Sequence, residues 1–359
     1  MLIKIKPSGD HSKKDQFQLV LAGDVGATKT NFALFETKGN SFTEVARKQF
    51  ASKEYKNLAA IIKLFLKDKP FPLSVCLGVA GPVINERVRL SNISWDIDSK
   101  ELAKYFKIKP VKLLNDLEAN AYGLAMLNEE DVISIHLEKN PEPGNMALIA
   151  PGTGLGEAGM YWDGKYHHPF ATEGGHCDFA PHNEFDFELY NYLKKKFGHV
   201  SWERLVCGPG IVNIYNFLRD KKKRKEPDWL TVKMNDGDAA AIISQHVEKS
   251  AICKETMDHF IRYLSYESAN LVLKFKATGG LFIGGGIAPK ITSLFAENYF
   301  YSSYCQGGRL DYLLEKVPIK IILNEETALL GAAWYGANNH SASTTPRTSV
   351  RKNFDKIEV

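Results

Sequence analysis

Gly23-Asp24-Val25-Gly26-Ala27-Thr28 joins two apolar runs, Phe17 to Ala22 and Phe32 to Phe35. Such a pattern reads as strand, small-residue turn, strand. Small residues at Gly23, Gly26 and Ala27 bare the backbone, so its N–H groups can approach an anion closely. Asp24 stands at the mouth of the turn, where a carboxylate can hold a hydrated Mg²⁺. Thr28 and Thr30 add hydroxyls. Taken alone, the stretch reads equally well as an ordinary Gly-rich hairpin.

The same unit recurs about half a chain later. Met146 to Ala150 runs into Pro151-Gly152-Thr153-Gly154-Leu155-Gly156 and then Met160-Tyr161-Trp162, and Asp163-Gly164 turns that strand back on itself. A unit used twice suggests two related halves facing one cleft. Gly154, Gly156 and Gly159 match the spacing of a dinucleotide-binding loop, but that fingerprint opens a helix, and here a hairpin follows.

Asp116 lies just past the apolar strand Val111-Lys112-Leu113-Leu114, at the end where open α/β sheets place their sites. A neutral alcohol that attacks a phosphoryl group needs a proton acceptor, and Asp116 is suited to that work. The local alternative makes Asn115 a helix N-cap, with Glu118 closing a capping box. A second cluster, Glu173-Gly174-Gly175-His176-Cys177-Asp178, offers carboxylates and an imidazole suited to the hydroxyls of a sugar. A Gly-Gly structural turn is one rival there. Zinc is another, since His167, His168 and His182 are near in sequence, although paired zinc-ligand spacing is missing. Glu203 falls in the first turn of an expected helix, where the helix dipole alone would favour it. Gly284-Gly285-Gly286 follows a short strand and precedes a helix, so it can serve a phosphate or simply a tight turn.

The elements that must position these residues alternate. The pattern predicts strands at 17–25, 30–37 and 42–50, a helix at 58–66, strands at 73–80 and 88–90, a helix at 99–107, the strand 111–114 and a helix at 117–126. After the second hairpin it predicts helices at 185–197, 201–205, 210–220 and 238–275, a strand at 281–283, a helix at 290–297, a strand at 319–323 and a last helix at 326–337. That order is an α/β sheet architecture covered by helices.

With 359 residues, two domains are favoured over one. A formal charge of +4 is too weak to argue for nucleic acid. The basic run Lys221 to Lys225 sits beside Glu226 and Asp228 and reads as a solvated loop or helix end. Five cysteines without Cys-x-x-Cys pairing point to reduced thiols and a cytoplasmic setting. No stretch reaches the ~18 apolar residues of a membrane span.

Together these motifs resemble the bacterial-type glucokinase family, ATP-dependent hexose kinases of the actin-like, ribonuclease-H-like superfamily. The resemblance rests on Gly23–Thr28, Leu114-Asn115-Asp116, Gly152–Gly156, Glu173 through Pro181, His199-Val200-Ser201 with Glu203-Arg204, Gly208-Pro209-Gly210 and Gly284 through Pro289. These pieces occur in the family's order across residues 19–336. The resemblance implies two α/β domains around a cleft and phosphorylation of D-glucose to glucose 6-phosphate. It implies ATP on Gly23, Asp24, Val25, Gly26, Ala27, Thr28, Thr153, Gly154, Gly284 and Gly285, with Mg²⁺ at Asp24 directly or through water. Glucose would lie on Asn115, Asp116, Glu173, His176 and Glu203, with Asp116 as base for the 6-hydroxyl. A homodimer is the family's common form. Neither nucleic acid nor membrane is an expected partner.

The expected organisation is a flexible segment at 1–16, a smaller α/β domain at 17–115 and a larger one at 116–325. A helix at 326–338 returns to the first domain, and a disordered tail covers 339–359. Ala27 stands where the family usually has a second Gly, so its methyl could crowd a phosphate or forbid a positive φ. The alternatives are a kinase for fructose, mannose or an amino sugar, and a non-catalytic actin-like or sugar-sensing protein. ATP hydrolysis without sugar would favour an actin-like filament or scaffold protein.

Overall fold

The computed structural model describes residues 2–7, 17–90, 93–108, 110–139, 141–295 and 299–339. The chain divides into one unit of Met1–Leu127 with Glu326–Val359 and another of Asn128–Glu325.

The first unit opens with β1 (Gln18–Val25), β2 (Lys29–Lys38) and β3 (Ser41–Ala51), an antiparallel meander. Then come α1 (Leu58–Leu66), β4 (Ser74–Val79), the small hairpin β5 (Arg87–Arg89) and β6 (Asp96–Asp98), α2 (Ser99–Phe106), β7 (Val111–Asn115) and α3 (Asp116–Gly123). The sheet order is β3-β2-β1-β4-β7, with β1, β4 and β7 parallel. Large side chains face α1 and α2: Leu21, Phe32, Val75 and Leu77 pack with Ile61, Phe65 and Leu102. Small ones face the other way: Ala22, Ala33 and Cys76 pack with Ala119, Ala332 and Ala333. Period-two alternation therefore lets helices come unusually close on one face only.

The second unit carries β8 (Val132–His136), β9 (Met146–Pro151), β10 (Leu155–Trp162) and β11 (His167–Ala171). Helices α4 (Glu184–Phe197), α5 (Gly208–Asp220), α6 (Asp228–Asp236), α7 (Ala239–Gln245) and α8 (Ala251–Phe275) follow. Next are β12 (Gly280–Ile283), the short α9 (Thr292–Phe295), α10 (Tyr299–Tyr304) and α11 (Asp311–Leu314), and β13 (Ile319–Ile322). Its sheet runs β11-β10-β9-β12-β13-β8. Counted from β9, this is the order of the first sheet, third-second-first-fourth-fifth, with β8 added antiparallel at the edge. This repeated meander-then-parallel order is the actin-like, ribonuclease-H-like fold. α8 is buried on almost all sides, which suits its Ile, Met, Phe, Leu and Val content.

The last helix, α12 (Thr327–Asn338), belongs to the first unit. It lies close against α3 at two glycines: a Cβ on Gly331 would strike Ala119 O, and one on Gly123 would strike Thr327 O. Ser74 Oγ donates to Gly336 O at 3.0 Å.

Several expectations are corrected. The domain boundary expected at 115/116 falls at 127/128, because α3 is clamped between the small-residue sheet face and α12. The segment expected to be flexible at 1–16 is anchored over 2–7, where Ile3 and Ile5 are buried and Leu2 N donates to Leu127 O at 3.0 Å. Residues 8–16 and the tail from 340 lie outside the described residues. The helix expected over 238–275 is broken at 246–250 into α7 and α8, and α6, α10, α11 and β8 were not anticipated. The helix expected at 201–205 is a single 3₁₀ turn, Trp202–Arg204.

Candidate active site

In the first unit, register decides what comes together. Asp24 pairs with Gly78 across β1 and β4, and Gly78 pairs with Leu114 across β4 and β7. Asp24 is therefore two strand spacings, about 10 Å, from the residue before Asn115. Asp24 and Asn115-Asp116 share the carboxyl edge of one sheet. Gly78 keeps that edge open, since a Cβ there would press on Ala119 of α3.

Asn115 caps α3: its Oδ1 accepts the N–H groups of Leu117 at 2.9 Å and Glu118 at 3.3 Å. Asn115 Nδ2 donates to Gly81 O at 3.2 Å. Asp116 occupies the first helical position, half-buried, and its Oδ1 accepts the Leu117 N–H at 2.9 Å. Local capping and placement at the sheet edge therefore coexist.

The turn Gly26–Thr28 is closed by Gly26 N–H to Lys29 O at 2.9 Å. Ser52, which the sequence did not single out, ties it down: Ser52 Oγ donates to Gly26 O at 2.7 Å, and Ser52 N donates to Thr28 O at 3.0 Å. Thr30 Oγ1 lies 2.9 Å from Ser52 Oγ. Gly23 also serves packing, since a Cβ there would meet Leu77 and Phe32. Ala27 does not adopt a positive φ, so its methyl is compatible with the turn. Burial raises the pKa of Asp24, partly offset by the Asn31 amide, whose Nδ2 is 3.4 Å away.

In the second unit everything converges on the turn between β9 and β10. Gly152 N donates to Gly154 O at 2.8 Å, leaving Thr153 exposed. Gly285 is left-handed, φ 77°, and a Cβ there would also strike Pro151 O. Only glycine fits on both counts. Gly284 N donates to Ile149 O at 2.8 Å, which places the Gly284-Gly285 turn beside Thr153-Gly154.

Leu155 joins the remaining residues. Its N–H donates to Glu203 Oε2 at 3.0 Å, and its carbonyl lies under Gly175, where a Cβ would collide with it. Glu173 and His176 flank that glycine pair and are exposed. The two segments are stitched by Trp202 N–H to Cys177 O and Phe179 N–H to Val200 O, both at 3.0 Å. Glu203 is thus held by a specific backbone donor, not by the helix dipole expected for it.

The histidines of the zinc alternative have other partners. His168 Nε2 lies 2.7 Å from Asp163, His167 Nε2 lies 3.1 Å from Gly144 O, and His182 stacks on Tyr266 at 3.9 Å. In the basic run, Lys222 pairs with Glu188 and Arg224 with Glu255, both at 2.7 Å.

Comparison with known proteins identifies the family. The glucokinase family model matches residues 21–339. A glucokinase from Nostoc sp. is 37% identical over 334 residues, covering 88% of this chain and 98% of that one. The crystal structure of a glucokinase from an Antarctic psychrotroph superposes with a TM-score of 0.77 at 29% identity, covering 90% of this chain and 100% of that one. A Balamuthia mandrillaris glucokinase solved in complex with glucose has the same fold, with a TM-score of 0.74 at 18% identity over 91% of this chain and 95% of that one. The chain belongs to the glucokinase family.

Proposed function

We propose that the two residue groups described above divide the work of ATP-dependent phosphorylation of D-glucose to glucose 6-phosphate. Asp116 is the base. It accepts the proton of the glucose 6-hydroxyl as that oxygen attacks the γ-phosphorus of ATP, and ADP leaves. The observation that carries this assignment is the placement of Asp116 at the carboxyl edge of the sheet that also carries Asp24. Positioning and charge stabilisation supply most of the rate in phosphoryl transfer, so a base on a fixed helix start suffices.

Glu173, His176 and Glu203 hold the sugar hydroxyls with Asn115. Gly23 through Thr28, Thr153-Gly154 and Gly284-Gly285 receive the nucleotide. The residues present fit a divalent cation at Asp24: burial disfavours its charge, and a cation restores it. Mg²⁺ brought with ATP would neutralise phosphate charge there, directly or through water.

The enzyme acts in the cytoplasm as a homodimer in this reading. Five free cysteines support a reducing compartment. No helix among the described residues is long and apolar enough to cross a membrane. Sedimentation of the purified protein checks the dimer.

The deciding experiment is ADP release from MgATP across a sugar panel with a no-sugar control. Turnover with glucose is expected. Turnover with another hexose alone would move the substrate, and sugar-independent turnover would overturn the kinase reading.

A further inference from the structure

Glu157 lies mid-strand on β10 and is 1% exposed, a position that strand alternation would give to an apolar side chain. Glu267 on α8 is 0% exposed. Glu267 lies close enough for its charge to act on the Glu157 carboxyl. Two carboxylates buried this close repel each other, which favours a proton on one of them.

The surroundings decide which. Glu267 Oε1 accepts Lys274 Nζ at 3.0 Å, and its Oε2 accepts Asn270 Nδ2 at 2.9 Å. Both oxygens are compensated, so Glu267 is the ionised partner. No N–H or O–H donor among the described residues reaches Glu157 Oε1. Burial first, and repulsion from Glu267 second, hold the Glu157 proton on above the usual carboxyl range.

The loop that carries the proposed glucose ligands rests on this group. A Cβ on Gly174 would collide with Glu157 Oε2. Thr172 Oγ1 donates to Glu157 O at 2.9 Å and accepts the Gly174 N–H at 3.3 Å. His176 N donates to Glu173 O at 3.0 Å, and Cys177 N donates to Gly174 O at 2.9 Å. Glu173 and His176 therefore bracket the glycine seated on Glu157.

We propose that Glu157, buried beneath Gly174, is the positioning residue that holds the Thr172–Cys177 loop in its glucose-binding shape. The proposal rests on the reading that Glu173 and His176 hold glucose. Loss of the proton puts two buried negative charges side by side with a single Lys274 to offset them, directly beneath Gly174. The charged and titratable groups facing Glu157 are Glu267 and Lys274 from α8, and Cys177 of the loop lies within electrostatic range of Lys274. β9 has no titratable side chain, and neither do Phe170 and Ala171 at the end of β11.

The test combines kinetics with infrared spectroscopy on the full chain. In the parent protein the glucose KM rises above neutral pH, by up to about tenfold per pH unit once the pair ionises. Glu157→Gln keeps shape and neutrality, and makes the glucose KM independent of pH over the same span. Glu267→Gln removes the repelling charge, so the KM rise moves to lower pH; this variant keeps the test alive if Glu157→Gln folds poorly. In the difference between the parent and Glu157→Gln spectra, the carbonyl band of a protonated acid is present at neutral pH and disappears with the same midpoint as the KM rise. A missing band, or a KM in Glu157→Gln that follows the parent, overturns the proposal. Glu173→Gln separates the two readings. An unchanged KM there overturns the glucose assignment and the loop's role with it, whereas a raised KM with no acid band overturns the Glu157 proposal alone.

Discussion

Glu203 reaches 48 residues back along the chain, where its Oε2 accepts the Leu155 N–H at 3.0 Å. The contact fixes a carboxylate at the start of β10, next to Thr153-Gly154 and above the carbonyl that supports Gly175. Glu203→Gln can keep the bond to Leu155 through its amide oxygen but loses the negative charge. A hydrogen bond to a charged group contributes about 1.5–3 kcal/mol, so the glucose KM should rise about 10- to 150-fold. Steady-state kinetics check this, with an unchanged Tm showing that the fold is intact. An unchanged KM would place the sugar elsewhere.

Asp116→Asn preserves size and the acceptor for the Leu117 N–H but cannot take a proton. General-base catalysis contributes about 10²- to 10⁴-fold, and kcat should fall within that range. Glucose binding, followed by intrinsic fluorescence, should stay close to the parent's. Near-normal turnover would remove Asp116 as base.

Ala27 is accommodated without a positive φ, so the methyl group costs the turn nothing. Ala27→Gly should leave the ATP KM close to the parent value. It should lower stability slightly, by about 0.4–1 kcal/mol, because glycine loosens the unfolded chain. A large gain in ATP affinity would show that the methyl crowds the phosphates.

Gly331→Ala tests the seat of α3. The new methyl would collide with Ala119 O, and overpacking of this kind costs about 1–3 kcal/mol. A fall in Tm of several degrees is expected, together with a fall in kcat, since α3 begins at Asp116. A normal Tm would mean that α12 shifts freely away from α3.

Glu118 gives a pH dependence. Burial raises its carboxyl from 4.5 to about 7, partly offset by the Asn115 N–H. Between those values the unfolded chain has lost this proton and the folded one retains it. The folded state therefore binds more protons, and stability falls as pH rises through the window. Its contribution is fully present below 4.5 and lost above about 7. Glu118→Gln keeps the shape of the side chain without the titrating group, and it should flatten this part of the Tm-against-pH curve. A parallel curve would assign the dependence to another group.

Local chemistry was legible in the chain itself. Asn115 announces the start of α3 because capping is settled within four residues. Asp163-Gly164 announces the β10–β11 hairpin for the same reason, and the apolar runs mark β1, β2, β4 and β12 through their spacing. The two strand-turn-strand units, and the order of motifs that identifies the family, are likewise properties of sequence. Tertiary structure decided what depends on partners distant in the chain. α3 belongs to the first unit because Gly123 and Gly331 let α12 lie against it, and those contacts join residues some 200 apart. Glu203 reads locally as a residue placed by a helix dipole, and nothing local marks Ser52; Leu155 and Gly26 come into reach only in the fold. Nothing local marks Glu157 either. Its burial against Glu267, beneath a glycine that leaves room for it, is set by how α8 packs on the sheet, and no local pattern encodes that.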